Sequence, residues 1–446
     1  MKHSHSLRHL AALSALATAA ALGMAGCSSG GADQAIDDVA PTHLEGTVSF
    51  WHFFTDREAG ALQAVIDEFE AANPDVTVDV HSGQDDEKLR KSIASGDSVD
   101  VGLSYSTDIV GSFCDSGAFR DLGPYIERDD VDLSQLSDTV RSYTEYDGVR
   151  CALPVLSDVY GLYYNKDLLA SVGATEPPKT LDELQDLALE LTTYNADGSI
   201  KTLGFNPLMA WYENQASQYS ALTGASWLAA DGTSNVGSDP AWAEVMEWQK
   251  DFVDAIGYDK LNAFSAGLGQ EFSADNALHT GQVAMTIDGE WRTAFIADQA
   301  PDLNYGTAPF PTADPALYGG AYITGNIAGI AKGSQEPELA WALLKYLATD
   351  TDAIVMLSNG LKNVPTTQEA LASPDLEVSE QFQTFLDIAA SGLTRTTPPN
   401  VLGAAYQQAL GDYWEKYQAG NGGDLTEGLK GVDKAINDAL SLATGP

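Results

Sequence analysis

The sequence predicts an α/β fold with enough chain for two domains. Its 446 residues are 44% hydrophobic and 9% aromatic, so each of two domains is able to bury a core of its own. Short β-rich runs alternate with amphipathic helical runs from about residue 47 onward. Strands that alternate with helices are typical of a largely parallel, doubly wound sheet with helices on its faces.

The first segment of the chain is typical of a secretory signal. A basic start precedes a mostly apolar run at residues 10–22, which is nearer to about 15 residues than to the roughly 20 of a transmembrane helix. We therefore expect residues 1–26 to be a signal peptide. The small residues before Cys27 resemble the lipobox of bacterial lipoproteins, which implies cleavage before Cys27 and a lipid on its sulfur; an ordinary secretory signal with an incidental cysteine is the alternative. Residues 27–45 are rich in Ser, Gly, Ala and Asp and indicate a lipidated, flexible tether.

Strands and helices then follow in order. β-rich runs predict three strands at residues 47–51, 76–80 and 100–103. Between them, an amphipathic helix stops at Asn73-Pro74, and a second helix occupies residues 87–94.

The middle of the chain is more helical. Thr180 and Glu183 have the spacing of a capping box, which predicts that a helix begins there. Buried strands are predicted at residues 283–287 and 327–331, and a helix at residues 337–347. The C-terminal part is predicted to be mostly helical.

The chain is strongly acidic. It carries 23 Lys and Arg against 64 Asp and Glu, a formal net charge of −41 at pH 7. Such a field repels nucleic acid and anionic lipid headgroups, so neither is expected as a partner surface, and contact with the membrane is expected through the lipid anchor only. It also disfavours an anionic ligand.

Two cysteines, Cys114 and Cys151, remain if Cys27 is lipidated. An exported protein meets an oxidising compartment, so we expect a disulfide between them. Two buried free thiols are the alternative, because a sequence gives no Cα separation.

Several separate motifs occur in a characteristic order along the chain. The most specific is Gly-Leu-Tyr-Tyr-Asn-Lys-Asp-Leu at residues 161–168. Others stand at residues 48–52, 69–74, 117–122, 153–154, 180–184, 281–285, 289–291, 331–334 and 338–341. In this order they resemble the extracellular solute-binding proteins of ATP-binding cassette importers, in the carbohydrate group that includes maltose-binding-protein-like chains. The likeness covers nearly the whole mature chain.

That resemblance implies two lobes joined by a hinge, each lobe a mostly parallel sheet flanked by helices. One lobe would hold residues 46–155 and 309–349, and the other residues 156–308 and 350–446. The implied function is capture of a sugar or oligosaccharide in the cleft between the lobes, and its delivery to the permease subunits in the membrane. The protein would act as a monomer at the extracytoplasmic face of the cell membrane, without a catalytic residue, metal or cofactor.

Flat aromatic rings and planar polar side chains suit the apolar faces and hydroxyl rim of a sugar. At the carboxyl ends of the first three strands, where clefts of open α/β sheets lie, the candidates are Trp51, His52, Phe53, Asp56, Gln84, Asp85 and Tyr105. Trp51 and Phe53 are equally well explained as core residues.

The remaining candidates follow the first predicted crossing between the lobes. They are Asp158, Tyr160, Trp211, Tyr212, Glu213, Asn214, Glu290, Trp291, Gly320, Tyr322 and Arg395. Asp158 is expected to accept hydrogen bonds from vicinal hydroxyls, and Trp291 is the main candidate for stacking on a sugar. Gly320 is expected to permit close approach of the backbone to a ligand. For Arg395, a salt bridge to the acidic surface is the alternative.

Other interpretations stay open at this point. Tyr163 and Tyr164 form the kind of pair that ligates ferric iron in other binding proteins, although their β-like run favours packing. Carboxylates beside aromatic residues are compatible with a lipid-anchored glycoside hydrolase, although no nucleophile elbow, zinc-helix motif or phosphate loop is present. A receptor for a polyamine or another non-sugar solute is the third class.

Overall fold

The computed structural model describes residue 36 and residues 39–444. The predicted signal peptide and Cys27 lie outside these residues, as does most of the predicted tether. In the described part, no helix is both long and apolar enough to cross a membrane.

Ten strands and seventeen α-helices are present in the described residues. The strands are β1 (Gly46–His52), β2 (Val76–His81), β3 (Val101–Ser104), β4 (Leu153–Asn165), β5 (Thr193–Tyr194), β6 (Ile200–Phe205), β7 (Val283–Gly289), β8 (Tyr305–Ala308), β9 (Ile323–Ile330) and β10 (Val364–Pro365). The helices of the first half are α1 (Asp56–Ala72), α2 (Asp86–Ser95), α3 (Ile109–Ser116), α4 (Gly123–Arg128), α5 (Asp138–Ser142), α6 (Lys166–Ser171), α7 (Leu181–Leu191) and α8 (Ala216–Thr223). Those of the second half are α9 (Pro240–Ile256), α10 (Tyr258–Ser265), α11 (Arg292–Gln299), α12 (Pro337–Thr349), α13 (Thr351–Leu361), α14 (Gln368–Leu371), α15 (Glu380–Ala390), α16 (Ala405–Gln418) and α17 (Leu425–Thr444).

The predicted elements are confirmed with small shifts at their ends. Helix α1 buries its apolar stripe and ends at Ala72 with Asn73 as its C-cap, as the Asn-Pro pair predicts. The capping box of α7 is complete, because Thr180 Oγ1 accepts from the amide of Glu183 at 3.2 Å while the Glu183 carboxylate accepts from the amide of Thr180 at 3.3 Å.

The strands pair in one sheet with the order β2-β1-β3-β9-β4-β7-β6-β5, and β8 and β10 also pair with β4. The parallel pairs are β1/β2, β1/β3 and β6/β7. All pairs made by β4 and β9 are antiparallel. The expected parallel pairing therefore holds for the strands linked by helical crossovers, whereas β4 and β9 run against their neighbours where the chain passes from one part of the sheet to the other.

Strand β4 is the main link between the two parts of the sheet. Its first half, from Leu153 to Val159, pairs with β9, and its second half, from Tyr160 to Asn165, pairs with β7 and β8. Only Tyr164 among its thirteen residues is not buried. A strand that is covered on both faces has a mostly apolar sequence, as β4 does.

Three buried apolar clusters hold the fold together. The first core joins β1, β2 and β3 to α1, α12 and α13, and the second joins β6 and β7 to α7, α9, α16 and α17. The third lies around α3, α5, α15 and the linking strands β4 and β9. Helix α13 buries Ile354 and Leu357 in the first core. The apolar face of α13 thus packs with the first core and not the second, while the expected lobe boundary at residue 350 stays a prediction.

Two local expectations are decided by the packing. Cys114 in α3 and Cys151 before β4 form a disulfide, with their Cα atoms 5.4 Å apart. Tyr163 is fully buried and donates its hydroxyl to the carbonyl of Gly289 at 2.9 Å. Tyr164 faces the backbone of Gly306, where an added Cβ would lie 2.3 Å from its ring. Both tyrosines are thus packing residues, as their β-like run favoured.

Candidate functional site

A cavity of about 310 Å³ lies beside α16. Its wall is made by Asp108, by Met209, Ala210, Tyr212 and residues 214–217, and by Ala404, Gln407, Gln408, Gly411 and Glu415. Asp108 directly precedes α3, which packs in the third core, whereas the other two segments pack on the second core. The cavity therefore lies between two separately packed parts of the molecule. We name it the α16 cavity.

The spacing of the α16 side chains explains why this helix borders a cavity. Tyr406, Leu410 and Trp414 recur every four residues and are buried in the second core. Gln407, Gly411 and Glu415 recur with the same spacing one residue later and line the cavity. One face of the helix thus anchors it while the adjacent face presents polar groups.

The loop before α8 has a strained backbone that its own hydrogen bonds fix. Ala210 and Tyr212 have φ angles of 64° and 47°, a region that non-glycine residues rarely adopt. Asn214 Nδ2 donates to the carbonyls of Asn206 at 2.6 Å and Leu208 at 3.2 Å, and the amide of Ala210 donates to the carbonyl of Asn214 at 2.8 Å. Such strain is of the order of 1–3 kcal/mol per residue and clusters at functional loops. The loop is therefore held in one shape before any ligand arrives.

The predicted aromatic residues of this loop differ in their exposure. The rings of Trp211 and Tyr212 stack with centroids 4.1 Å apart and planes 17° apart. Trp211 packs in the second core, whereas Tyr212 lines the cavity and donates its hydroxyl to the carbonyl of Gly269 at 2.7 Å. Of the two predicted ring platforms, only Tyr212 borders the α16 cavity.

Asp108 is a cavity residue that the sequence analysis missed. Gln407 Nε2 donates to Asp108 Oδ1 at 2.5 Å, so these two side chains close one end of the cavity. Burial raises the pKa of Asp108, because a desolvated carboxylate is less stable than the neutral acid. The sequence could have indicated Asp108 as a site residue, because it lies four residues beyond β3 in the same loop as the candidate Tyr105. No feature of the sequence indicated Gln407.

A second group of predicted residues forms an aromatic cluster next to the cavity. Tyr160 lies edge-on to Trp291 with ring centroids 5.4 Å apart and lies 5.6 Å from the ring of Tyr322. The Tyr322 hydroxyl lies 2.8 Å from Thr397 Oγ1 and also hydrogen-bonds Ser217, which lines the cavity. The structure therefore brings Tyr160, Trp291 and Tyr322 together, as expected of a site.

The indole of Trp291 is placed by the residue two positions before it. A Cβ added to Gly289 would lie 2.1 Å from the ring, so only glycine leaves room for the indole to lie over the backbone there. The indole nitrogen is buried and has no hydrogen-bond partner among the described residues. Trp291 as a whole is half-buried.

Asp158 and Glu290 share one amide in the protein interior. Asn363 Nδ2 donates to Asp158 Oδ1 at 2.5 Å and to Glu290 Oε1 at 3.0 Å, and the amide of Val159 donates to Glu290 Oε2 at 2.6 Å. Burial raises the pKa of Asp158 to about 7 and that of Glu290 well above its usual range, where the charge of Asp158 adds to the effect. Glu290 is 0% exposed, so in this conformation its carboxylate makes its hydrogen bonds within the protein interior.

Glu213 belongs to a second buried acidic group. It hydrogen-bonds Glu271, and burial together with the charge of Asp288 raises the pKa of Glu213 to about 7. Burial and the charge of Glu213 raise the pKa of Glu271 to about 10, so the pair retains a proton at neutral pH. Arg292 Nε donates to Asp288 Oδ2 at 2.6 Å and neutralises that carboxylate.

The candidates at the ends of the first strands do not line the α16 cavity. Trp51 donates its indole to Ser49 Oγ at 3.2 Å and packs against the third core. Burial lowers the pKa of His52 to about 4, and Asp85 caps α2 by accepting from the amide of Lys88 at 2.7 Å. Asp56 is exposed at the first position of α1, and Gln84 donates to the carbonyl of Ser82 at 2.6 Å.

Phe53 lies edge-on to the half-exposed ring of Tyr105, with ring centroids 5.5 Å apart. This pair is therefore the most accessible aromatic group among the candidates at the ends of the first strands.

The backbone around Gly320 contacts another segment of the same chain. A Cβ at Gly320 would lie 2.6 Å from the carbonyl oxygen of Leu393, so the close approach expected for a ligand is made by Leu393. Arg395 joins the same arrangement through its backbone, which donates to the carbonyl of Ala321 at 3.0 Å and accepts from the amide of Ile323 at 2.8 Å. Its side chain is exposed beside Gly224.

Comparison with known proteins gives one family and a consistent set of relatives. The family model described as bacterial extracellular solute-binding protein matches residues 55–354. The maltotriose-binding protein of Pyrococcus abyssi is 25% identical over 340 residues, which cover 74% of this chain and 69% of that protein. The maltodextrin-binding protein MdxE of Bacillus subtilis is 25% identical over 393 residues, which cover 85% of this chain and 86% of that protein.

Among solved structures, CpMnBP1 with mannotriose bound is similar with a TM-score of 0.78 and 25% sequence identity. The likeness covers 87% of this chain and 99% of that one. It confirms the predicted α/β fold with two lobes.

Proposed function

Because the chain belongs to the family of bacterial extracellular solute-binding proteins, we propose that it is the substrate-binding component of an ATP-binding cassette importer and that its ligand is a sugar or oligosaccharide. The protein captures this ligand between its lobes and delivers it to the permease subunits in the membrane. Relatives named for maltotriose and maltodextrin, and a structural neighbour with mannotriose bound, support a carbohydrate.

One observation carries the assignment to a site. The α16 cavity has Asp108 on the side of the proposed first lobe, and the strained loop and α16 on the side of the proposed second lobe. Asn214, Gln215 and Gln407 give it planar polar groups that fit hydroxyls, and Tyr212 gives it an aromatic ring. Trp291 and Tyr322 lie beside it as further contacts for a longer ligand.

Lobe closure follows from the same arrangement. We place residues 46–155 and 309–376 in the first lobe, so that α13 stays with the core in which it packs, and the rest of the described chain from residue 156 in the second. Strand β4 then contains a hinge, since the boundary between residues 155 and 156 lies within it and it pairs with elements of both lobes. A ligand that contacts both lobes favours the closed form by its differential affinity.

The proposal includes an exported, lipid-anchored and monomeric protein without enzymatic activity. The signal-like segment and Cys27 support export and anchoring. A glycoside hydrolase needs a protonated carboxyl and a second carboxylate that both reach the glycosidic bond. Asp158 and Glu290 are the buried pair closest to this description, but their oxygens are engaged by Asn363, Asn326 and Val159 in the interior.

A thermal-shift panel tests the function. Maltotriose, mannotriose and spermidine are each added in increasing concentration, and the unfolding temperature is recorded. A ligand at 100 times its Kd adds about 2.7 kcal/mol to the native state, which is readily detected. We expect stabilisation by at least one oligosaccharide and no hydrolysis products by chromatography. Stabilisation by spermidine alone, or turnover of the sugar, would contradict the proposal.

A further inference from the structure

The wall of the α16 cavity has one sign of charge. Its ionisable residues are Asp108, Glu415 and Tyr212, and neither lysine, arginine nor histidine is among its thirteen lining residues. The other polar side chains are amides and the hydroxyl of Ser217. An anion that enters this space therefore meets two carboxyl groups and no side-chain cation.

A buried acceptor in the wall lacks a donor. Asn214 is only 1% exposed, and its Nδ2 is committed to two backbone carbonyls, which fixes the orientation of the amide. The opposite atom, Asn214 Oδ1, has no hydrogen-bond partner among the described residues. An unpaired buried acceptor is costly, so a ligand that donates a hydrogen bond here removes an existing penalty.

Asp108 is held with its remaining acceptor capacity available to a ligand. Gln407 Nε2 donates to Asp108 Oδ1 at 2.5 Å, and the Ser106 hydroxyl also hydrogen-bonds the carboxyl. Among the described residues, no other group donates a hydrogen bond to this carboxyl within 3.5 Å. Both neighbours are neutral, so nothing compensates the charge of Asp108 at contact distance. A carboxylate brought beside it adds repulsion between like charges in a partly desolvated space.

We propose that the α16 cavity selects its saccharide by charge: it accepts sugars that present hydroxyl or ammonium donors and rejects uronic acids and other anionic sugars, with Asp108 and Glu415 as the selecting residues. This inference rests on the proposed function and names the substrate class of the same site. Hydroxyl or ammonium groups of the ligand donate hydrogen bonds to Asn214 Oδ1 and to the two carboxylates. A uronate instead adds a carboxylate, which is a further acceptor, to a wall that already has more acceptors than donors.

The test uses sugars that differ only at C6. Maltotriose and mannotriose are compared with their forms oxidised at C6 to carboxylates and with their 6-amino-6-deoxy forms, by isothermal titration calorimetry on the mature protein at pH 8. We expect the carboxylate forms to bind at least about tenfold more weakly than the parent sugar, and the amino forms to bind at least as tightly as the parent. Added salt is expected to narrow both differences.

Variants then assign the selection to the cavity. Asp108→Asn and Glu415→Gln keep the shape of each side chain and remove its charge. Each is therefore expected to reduce the affinity gap, which is the ratio of the Kd of the carboxylate form to that of the parent sugar, several-fold. Asp115→Asn is the matched control, because Asp115 is an exposed carboxylate of α3 outside the cavity wall. It is expected to leave the gap as it is in the native protein.

The outcomes separate this inference from the proposed function. Carboxylate sugars that bind as tightly as their parents would overturn the charge selection while the sugar-binding function stands. A gap that Asp108→Asn and Glu415→Gln leave unchanged would overturn the assignment to this cavity. If none of the six sugars binds while spermidine does, the proposed function fails, and the inference fails with it.

Discussion

At the scale of single residues, the contact between Gly289 and Trp291 leaves no room for a side chain at position 289. The indole occupies space that any side chain at position 289 would fill. We expect Gly289→Ala to displace the ring and to weaken sugar binding about as much as Trp291→Ala does, because both remove the same aromatic surface. Calorimetry and tryptophan fluorescence check this, with Gly333→Ala as the control, since a Cβ at Gly333 meets no atom within 4 Å. Native affinity in both Trp291→Ala and Gly289→Ala would remove Trp291 from the site.

Asp158 makes stability depend on pH in a direction that its burial fixes. Its folded-state pKa is about 7, above the ordinary 3.8, so between these values the folded protein holds more proton than the unfolded chain. Stability is therefore expected to fall as pH rises from about 4 to 7. The raised pKa of Glu213 acts in the same direction.

Urea denaturation at pH 5 and pH 8 tests this dependence. Asp158→Asn is expected to lose less stability between the two pH values than the native protein, by on the order of 1 kcal/mol. Asp115→Asn should behave like the native protein. An equal pH dependence in all three proteins would show that Asp158 does not titrate as its burial requires.

Some site residues were predictable from the sequence and others were not. Tyr212 and Asn214 stood in a loop where aromatic, amide and carboxylate residues are concentrated, and they line the cavity. Gln407 lies 299 positions from its partner Asp108, and nothing local to either residue signals that contact. Glu290 was predicted for its neighbour Trp291, but the strand register turns its carboxylate towards the interior.

At the scale of elements, local signals were sufficient wherever a periodicity or a cap decides the structure. The apolar stripe of α1 and the capping box of α7 are examples. The sheet was harder, because the antiparallel pairs of β4 and β9 depend on contacts between distant segments. The same holds for α13, whose apolar face fits either core by composition and is assigned only by packing on α1 and its neighbours.

The disulfide between α3 and the start of β4 is the covalent link of the first lobe. It closes a segment of 37 residues, so its loss is expected to cost about 2–4 kcal/mol by release of chain entropy in the unfolded state. Cys114→Ala with Cys151→Ala, measured by urea denaturation against the oxidised native protein, tests this. The native protein under reducing conditions serves as the control and should lose a similar amount. Unchanged stability in both would mean that the bond does not constrain the unfolded chain.

At the scale of the whole molecule, the signal-like N-terminal segment is proposed to set where the protein acts. If Cys27 carries the lipid, Cys27→Ala is expected to release a protein that still binds sugar into the medium or the soluble fraction. Fractionation of cells with an immunoblot measures this, and Cys114→Ala serves as a cysteine control that should stay with the membrane. Membrane retention of Cys27→Ala would contradict lipid anchoring.

In the proposed function, hinge closure of the two lobes is the step that couples sugar binding to transport. Because Asp108 and α16 border the same cavity from different proposed lobes, a bound sugar that contacts both is expected to hold them closer together than in the free protein. Small-angle X-ray scattering should therefore give a smaller radius of gyration with saturating oligosaccharide than without it. Asp108→Ala removes a ligand contact on the proposed first lobe and the hydrogen bond from Gln407 of α16, so it should need more sugar to reach the same closed radius. A radius that saturating sugar leaves unchanged would mean that binding occurs without closure, and the permease would then have to distinguish the loaded protein by the ligand alone.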